Sequence, residues 1–260
     1  MKYFLLFMGY PRSGHTLTAA ILNANPNVYC SNQFNLFNWV EPNLDREEFL
    51  TKIKAYSTEK YTWKQTTLIP HMPKRDIRVI GDKTGHRSVV ILKEYPERLK
   101  VMKDLVGVPI KWIHVVRNPY DNIATWARLA FEAHKRAQAS KNLEPEKTQH
   151  QLLDQIIHEY RDLNATIKQL RKREEVLVVN HEFLITRMHN TLEEIANYLE
   201  IDFDPDWREN VKKTVWKKPR TTRTSIKWSN PQRDAVKRII DKYEWLSGYE
   251  YGGCGGCRKK

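Results

Sequence analysis

The stretch Gly9-Tyr-Pro-Arg-Ser-Gly-His-Thr16 constrains the chain most, because it joins a buried strand to a helix through a glycine-containing turn. Before it runs Tyr3-Phe-Leu-Leu-Phe-Met8, apolar throughout, as a strand covered on both faces would be. After it, Leu17, Ala20, Ile21 and Ala24 fall at i, i+3, i+4 and i+7, one face of a helix. A strand, such a turn and a helix N-terminus make an anion cradle, where unpaired amides converge and the helix dipole adds positive charge. In the loop that binds nucleoside triphosphates, Gly-x4-Gly-Lys-Ser/Thr, a lysine reaches the β- and γ-phosphates and the hydroxyl binds magnesium. Here His15 occupies the lysine position and the cation sits inside the loop at Arg12. The cradle is kept without the triphosphate lysine, which points to a phosphate-bearing ligand other than ATP, or to a turn that binds nothing.

A second motif narrows the choice. Val108–Val116 reads as a buried strand, and Arg117-Asn-Pro-Tyr-Asp121 leaves its carboxyl end, followed by Asn-Ile-Ala-Thr125. Pro119 suits the first turn of a helix, and Asp121 favours that helix's positive end. Thr125, eight residues after Arg117, stands about two turns along, where its hydroxyl can share a phosphate with the guanidinium. The plain alternative is an Arg–Asp pair that staples a helix start.

Together the two stretches resemble the sulfotransferases that use 3′-phosphoadenosine 5′-phosphosulfate (PAPS). Pro11-Arg-Ser-Gly-His-Thr16 is similar to that family's 5′-phosphosulfate loop, usually Pro-Lys/Arg-Ser-Gly-Thr-Thr/Ser. Arg117-x-Pro-x-Asp121 with Thr125 is similar to its 3′-phosphate signature, Thr125 replacing a serine and keeping the hydroxyl. The resemblance implies an α/β fold, a three-layer parallel sheet flanked by helices in the P-loop-like sulfotransferase form. It implies sulfuryl transfer from PAPS to a hydroxyl or amine, leaving 3′-phosphoadenosine 5′-phosphate (PAP), with no metal. Arg12 is expected on the leaving-group side. Backbone amides of Ser13, Gly14, His15, Thr16 and Leu17, with the Thr16 hydroxyl, are expected to hold the 5′-phosphate. His15 replaces the usual threonine and either donates to that phosphate or packs. Arg117 and Thr125 are expected at the 3′-phosphate.

Other expected contacts rest on weaker likeness. Pro219-Arg-Thr-Thr-Arg-Thr-Ser225 with Lys227 lies where many sulfotransferases close a basic loop over the 3′-phosphate, but the usual Arg-Lys-Gly pattern is absent. Arg223, then Arg220 or Lys227, is the candidate there, against a solvated basic loop. The tyrosylprotein sulfotransferases resemble Pro11–Cys30, yet the glutamate they place after that cysteine is replaced by Ser31-Asn-Gln33. Cytosolic members use a histidine soon after Lys-Thr, and Lys83-Thr84-Gly-His86 has those ingredients with one extra residue. His86 is therefore the expected general base, since histidine as a residue type titrates near neutrality when unperturbed, with Asp82 second. Lys83 is expected to neutralise the transferring group.

The remaining sequence sets the frame. At 260 residues with no Ser/Gly/Pro-rich linker, residues 1–250 read as one domain, followed by a Gly/Cys/basic tail over 251–260 that is expected to be mobile. Cys254 and Cys257 lack a second ligand pair for a zinc site. Net charge of +13 could attract nucleic acid, anionic membrane or a small polyanion; PAPS is itself a polyanion, so no nucleic acid is expected. Tyr3–Met8 is too short for a signal segment or membrane anchor, so a cytoplasmic location is expected. Further strands are predicted at Val28–Cys30, Asp76–Ile80 and Glu174–Val179, with helices over Leu152–Leu170, Thr191–Leu199 and after Ser229. The Asn180–Leu184 segment resembles the family's Tyr-Glu-Asp-Leu step. Ser31–Pro73, irregular and aromatic-rich, and polar Glu132–Lys147 are the expected walls and lid of an acceptor site. A glycan, peptide, phenol or lipid alcohol would each fit. The rival functions are a small-molecule kinase using ATP and a non-catalytic polyanion or nucleic-acid binder.

Overall fold

A computed structural model describes residues 1–41, 43–59, 69–139 and 148–253. In chain order the elements are β1 (Tyr3–Gly9), α1 (His15–Ala24), β2 (Val28–Ser31), α2 (Arg46–Glu59), β3 (Val79–Asp82), α3 (Gly85–Glu94), α4 (Arg98–Val106) and β4 (Ile110–Val116). They continue with α5 (Pro119–Ala139), α6 (Gln149–Arg171), β5 (Val176–Asn180), α7 (His181–Thr186), α8 (Met188–Leu199), α9 (Pro205–Thr214) and α10 (Asn230–Lys242).

The five strands form one parallel sheet in the order β2-β3-β1-β4-β5. Side chains alternate across a strand, so β1 feeds two separate cores. Phe4, Leu6 and Met8 pack on one face against Val89, Met102, Ile123, Tyr160 and Val236 from α3, α4, α5, α6 and α10. Leu5 and Phe7 pack on the other face against Ala20, Ile21, Ile195 and Trp207 from α1, α8 and α9. This is the expected three-layer α/β fold. Because β1 lies in the middle of the order, the crevice beyond its carboxyl end opens between the turns that follow β3 and β4, where ligands of such sheets bind. Among the described residues, no helix is long and apolar enough to cross a membrane.

Several predicted boundaries shift. The third strand begins at Val79 rather than Asp76, whose φ of 42° is left-handed and breaks an extended run. Likewise β4 starts at Ile110, not Val108. The segment Ser31–Pro73 is not irregular throughout: it holds a 3-10 turn over Leu36–Asn38 and the helix α2. Asp45 accepts from the Glu48 amide at 2.7 Å in the manner of an N-cap, and Phe49, Leu50 and Ile53 are buried beneath. Residues 132–139 continue α5. Within the segment expected as a tail, Tyr251 packs edge-on to Tyr120 with ring centroids 5.2 Å apart and the Gly253 carbonyl accepts from Arg223 at 2.8 Å. Tyr61, Trp63, residues 140–147, Cys254 and Cys257 lie outside the described residues.

Candidate active site

The turn after β1 is held open by residues that other side chains could not replace. Gly14, with φ of 112°, caps α1 without a side chain, so the first amides of the helix have no side-chain cap. A Cβ there would lie 2.4 Å from Nδ1 of His181, the residue opening α7. Arg12 is also left-handed, at φ 67°, and its side chain is exposed at the loop mouth. Ser13 is fully buried, with its hydroxyl 3.4 Å from Nε2 of His15.

His15 turns inward. Its Nε2 lies 3.1 Å from the Met8 carbonyl, and the ring stands edge-on to Phe7 with centroids 5.9 Å apart. A Cβ at Gly85 would come within 2.3 Å of this ring, so the glycine after Thr84 makes room for it. Burial drops the His15 pKa to about 3, which keeps the ring neutral. Of the two roles weighed for its side chain, packing is the one adopted; its amide remains in the cradle.

From β3, Lys83 reaches across the sheet: Nζ donates to Thr16 Oγ1 at 3.1 Å. Its side chain is buried, and burial lowers its pKa to about 8, with Asp82 acting in the opposite direction. The ammonium still carries charge at neutral pH. Asp82 itself has no spare acceptor for a substrate proton. One oxygen accepts from Ser31 Oγ at 2.6 Å and the Phe34 amide at 2.9 Å; the other accepts from the amide and hydroxyl of Thr84. The second candidate base is thus a loop staple, corrected by its own hydrogen bonds. His86, in the first turn of α3, is partly exposed; Nε2 lies 3.1 Å from Glu159 Oε1 of α6, and the ring sits edge-on to Trp126 at 5.6 Å. A carboxylate only accepts, so this bond calls for Nε2–H and leaves Nδ1 as the basic nitrogen.

At the end of β4, Arg117 binds the loop after β1 to the C-terminal basic segment. Nη1 donates to the Arg12 carbonyl at 3.3 Å and approaches Thr125 Oγ1 at 3.4 Å. Nη2 donates to the Arg220 carbonyl at 2.8 Å and Thr222 Oγ1 at 3.3 Å, while the buried Nε has no partner. Thr125 and Thr222 hydroxyls are 2.8 Å apart. The guanidinium, the two hydroxyls and the loop thus converge, in keeping with the spacing read from Arg117 to Thr125.

Arg223 is buried, and its Nη1 has no hydrogen-bond partner among the described residues. Its guanidinium is buried 3.2 Å from Asp121 Oδ2 and donates to Gly253, and Asp121 Oδ1 accepts the amides of Thr222 and Arg223 at 2.7 Å each. The Asp121 pairing that sequence weighed as a staple exists, but with Arg223 rather than Arg117. Lys227 stands exposed with no bond to these residues, and Arg220 contributes its carbonyl while its guanidinium lies 5.8 Å over the Trp216 ring.

Three residues were missed from the sequence. Thr222 belongs to a segment already read as hydroxyl-rich, and Glu159 carries no local signal beyond its place on an amphipathic helix. His181 is the second residue of Asn180–Leu184, the segment likened to Tyr-Glu-Asp-Leu. Its Nδ1 is buried without a partner, and burial beside Arg117 drops its pKa to about 3. Next to it, Glu182 accepts from the Asn118 amide at 3.0 Å and Tyr249 OH at 2.8 Å, fixing the turn that carries Arg117. Among the described residues no three His, Cys, Asp or Glu side chains converge as a metal site.

The profile of the sulfotransferase domain family matches residues 4–239. The chain belongs to the sulfotransferase family. Among solved structures, it resembles the sulfotransferase domain of the curacin biosynthetic pathway, at 14% identity and TM-score 0.53, over 93% of this chain and 97% of that one. It also resembles the sulfotransferase STF9 from Mycobacterium avium, at 8% identity and TM-score 0.52, over 94% of this chain and 76% of that one. At these identities the likeness is one of fold. No curated protein matches the chain in sequence.

Proposed function

We propose that the chain transfers a sulfuryl group from PAPS to a hydroxyl. The observation that carries this reading is Arg117, which ties the amide-lined turn after β1 to a hydroxyl pair 2.8 Å apart beyond β4. A nucleotide with phosphates at both its 5′ and 3′ positions needs two such anion holders. A single-phosphate cradle does not.

In the reaction the acceptor oxygen attacks sulfur in line, forming one S–O bond as the bond from sulfur to the 5′-phosphate oxygen breaks. The electron pair of the broken bond leaves with PAP, so negative charge grows on its 5′-phosphate. The uncapped amides of α1 and the Arg12 and Lys83 cations face that charge, in surroundings where preorganised donors count most. Lys83 bonded to Thr16 suits the bridging side, between the phosphate and the sulfuryl group. His86 Nδ1 takes the acceptor proton while Glu159 holds the opposite nitrogen. His181 Nδ1, buried beneath Gly14 and beside Arg117, supplies a further polar contact for the nucleotide. Sulfate carries less charge than a terminal phosphate, and this reading requires no metal.

Transfer is tested by incubating the chain with radiolabelled PAPS and pooled acceptors, without metal, and following label into a product that is not inorganic sulfate. Acceptor-dependent labelling supports the proposal. Label entering acceptors from γ-labelled ATP with magnesium, and none from labelled PAPS, would instead make the chain a kinase.

A further inference from the structure

From Asn210 to Arg233 the chain carries eight lysines and arginines and no acidic residue. Not all eight are available. Arg223 is buried on Asp121, Arg233 lies over the Tyr251 ring at 5.3 Å, and Lys212 and Lys213 approach Glu209 at 3.8 and 3.7 Å. Lys217, Lys218, Arg220 and, further along, Lys227 are exposed and, among the described residues, have no ion pair. Between the two lysine pairs stands Trp216, 38% exposed and one of three large apolar side chains so placed among the described residues. The segment is pinned at both ends, by buried Val215 and by the Arg220 carbonyl on Arg117, so the display is fixed rather than frayed.

The nucleotide donor does not account for these groups. Arg117, Thr125 and Thr222 meet its 3′-phosphate under the proposed function, and Lys217 and Lys218 lie outside that set. We infer that the strip Trp216–Arg220 docks an extended acidic polysaccharide, whose sugar hydroxyls are the acceptors; this rests on the sulfuryl transfer proposed above. The chemistry matches feature by feature. Carboxylates or sulfates along such a chain meet Lys217, Lys218 and Arg220, whose guanidinium lies 5.8 Å over the Trp216 ring, and the C–H face of a pyranose covers the part of the indole left exposed. Exposed Thr221, Thr224 and Ser225 alongside offer partners to sugar hydroxyls. An anionic bilayer would call for several inserted apolar side chains, and this strip exposes one: the other two, Trp39 and Tyr95, belong to other elements.

The test uses the full chain and oligosaccharides of an unsulfated uronic-acid polymer. Neutral dextran of matched length, phosphatidylserine vesicles, a single-stranded oligonucleotide and polyglutamate serve as competitors. The acidic glycan should bind best, with affinity falling as salt rises. Lys217→Ser with Lys218→Ser should weaken it about fivefold or more and flatten the salt dependence. Trp216→Ala should weaken it with the salt dependence unchanged. PAP affinity should stay at the wild-type value in both variants, which also reports an intact fold; where the double variant loses it, Lys218→Ser alone gives the comparison. Unaltered glycan affinity in the variants, or tighter binding of vesicles, oligonucleotide, polyglutamate or dextran, would overturn the inference. Failure of wild-type chain to bind PAP would sink the donor reading instead.

Discussion

Lys83 Nζ lies 3.1 Å from Thr16 Oγ1, although the two residues are 67 apart in sequence. The parallel pairing of Leu6 with Asp82 brings them together, because it sets the end of β3 beside the turn that follows β1. Burial pulls the lysine down to about 8, so its charge is present at pH 7 and lost as pH rises through that value. Turnover should therefore fall above about pH 8. Lys83→Met should lower kcat by about a hundredfold or more, the scale of losing one preorganised charge donor, with PAP affinity less affected. A pH–rate profile for wild type and Lys83→Arg checks the assignment: the arginine variant should keep its activity to higher pH.

Glu159 should act through His86 alone. Glu159→Leu removes the acceptor for Nε2–H, so the neutral ring is no longer held in one tautomer. We expect kcat to fall about tenfold while KM for the donor is kept, because proton transfer and not nucleotide binding is touched. Nitrogen-15 spectra of His86 should show one dominant Nε2–H tautomer in wild type and a mixture in the variant. Unchanged spectra would reduce the contact to a surface pairing.

Gly14 and His181 share one space. Gly14→Ala strains a residue at φ 112° and drives a methyl group against a buried ring, and it should cost about 1–3 kcal/mol or more of stability. Adding His181→Ala should relieve the clash and leave the backbone strain. Urea unfolding of the two single variants and the double variant separates those parts.

Acid should unfold the protein through its buried histidines. Burial drops His15 and His181 to about 3 and His114 well below its ordinary value, so each is neutral when folded. The unfolded chain protonates them near pH 6.5. Their stabilisation is intact above that pH and is lost as pH falls from 6.5 towards 3, at about 1.4 kcal/mol per pH unit for each histidine. Urea midpoints should drop steadily over that interval, and His15→Asn should make the slope shallower.

Much of the fold was legible because apolar runs and helix signals agree. Tyr3–Met8, Glu174–Val179 and the helix start at Ser229 all read directly, and Ser229 caps that helix by accepting from the Gln232 amide. The helices α2, α3, α4, α7 and α9 went unread: their stripes are short, and α2 in particular mixes polar and apolar residues around its circumference. At the site, spacing revealed what lies along one element, such as Arg117 and Thr125. It could not reveal partners supplied by distant elements. Glu159 beside His86, Thr222 beside Thr125, and the hydrogen bonds that occupy Asp82 and Arg223 are set by the sheet order and by how α5, α6 and the C-terminal segment pack.

The central claim is that Arg117 and the turn after β1 hold a bisphosphate nucleotide, and calorimetric titration with PAP, ADP and ATP in the absence of metal tests it most directly. PAP should bind more tightly than the other two, and Arg117→Ala should weaken it by about ten- to more than a hundredfold, the loss of a charge-assisted contact worth about 1.5–3 kcal/mol. Equal affinity for all three nucleotides, or PAP affinity unmoved by the substitution, would contradict the account.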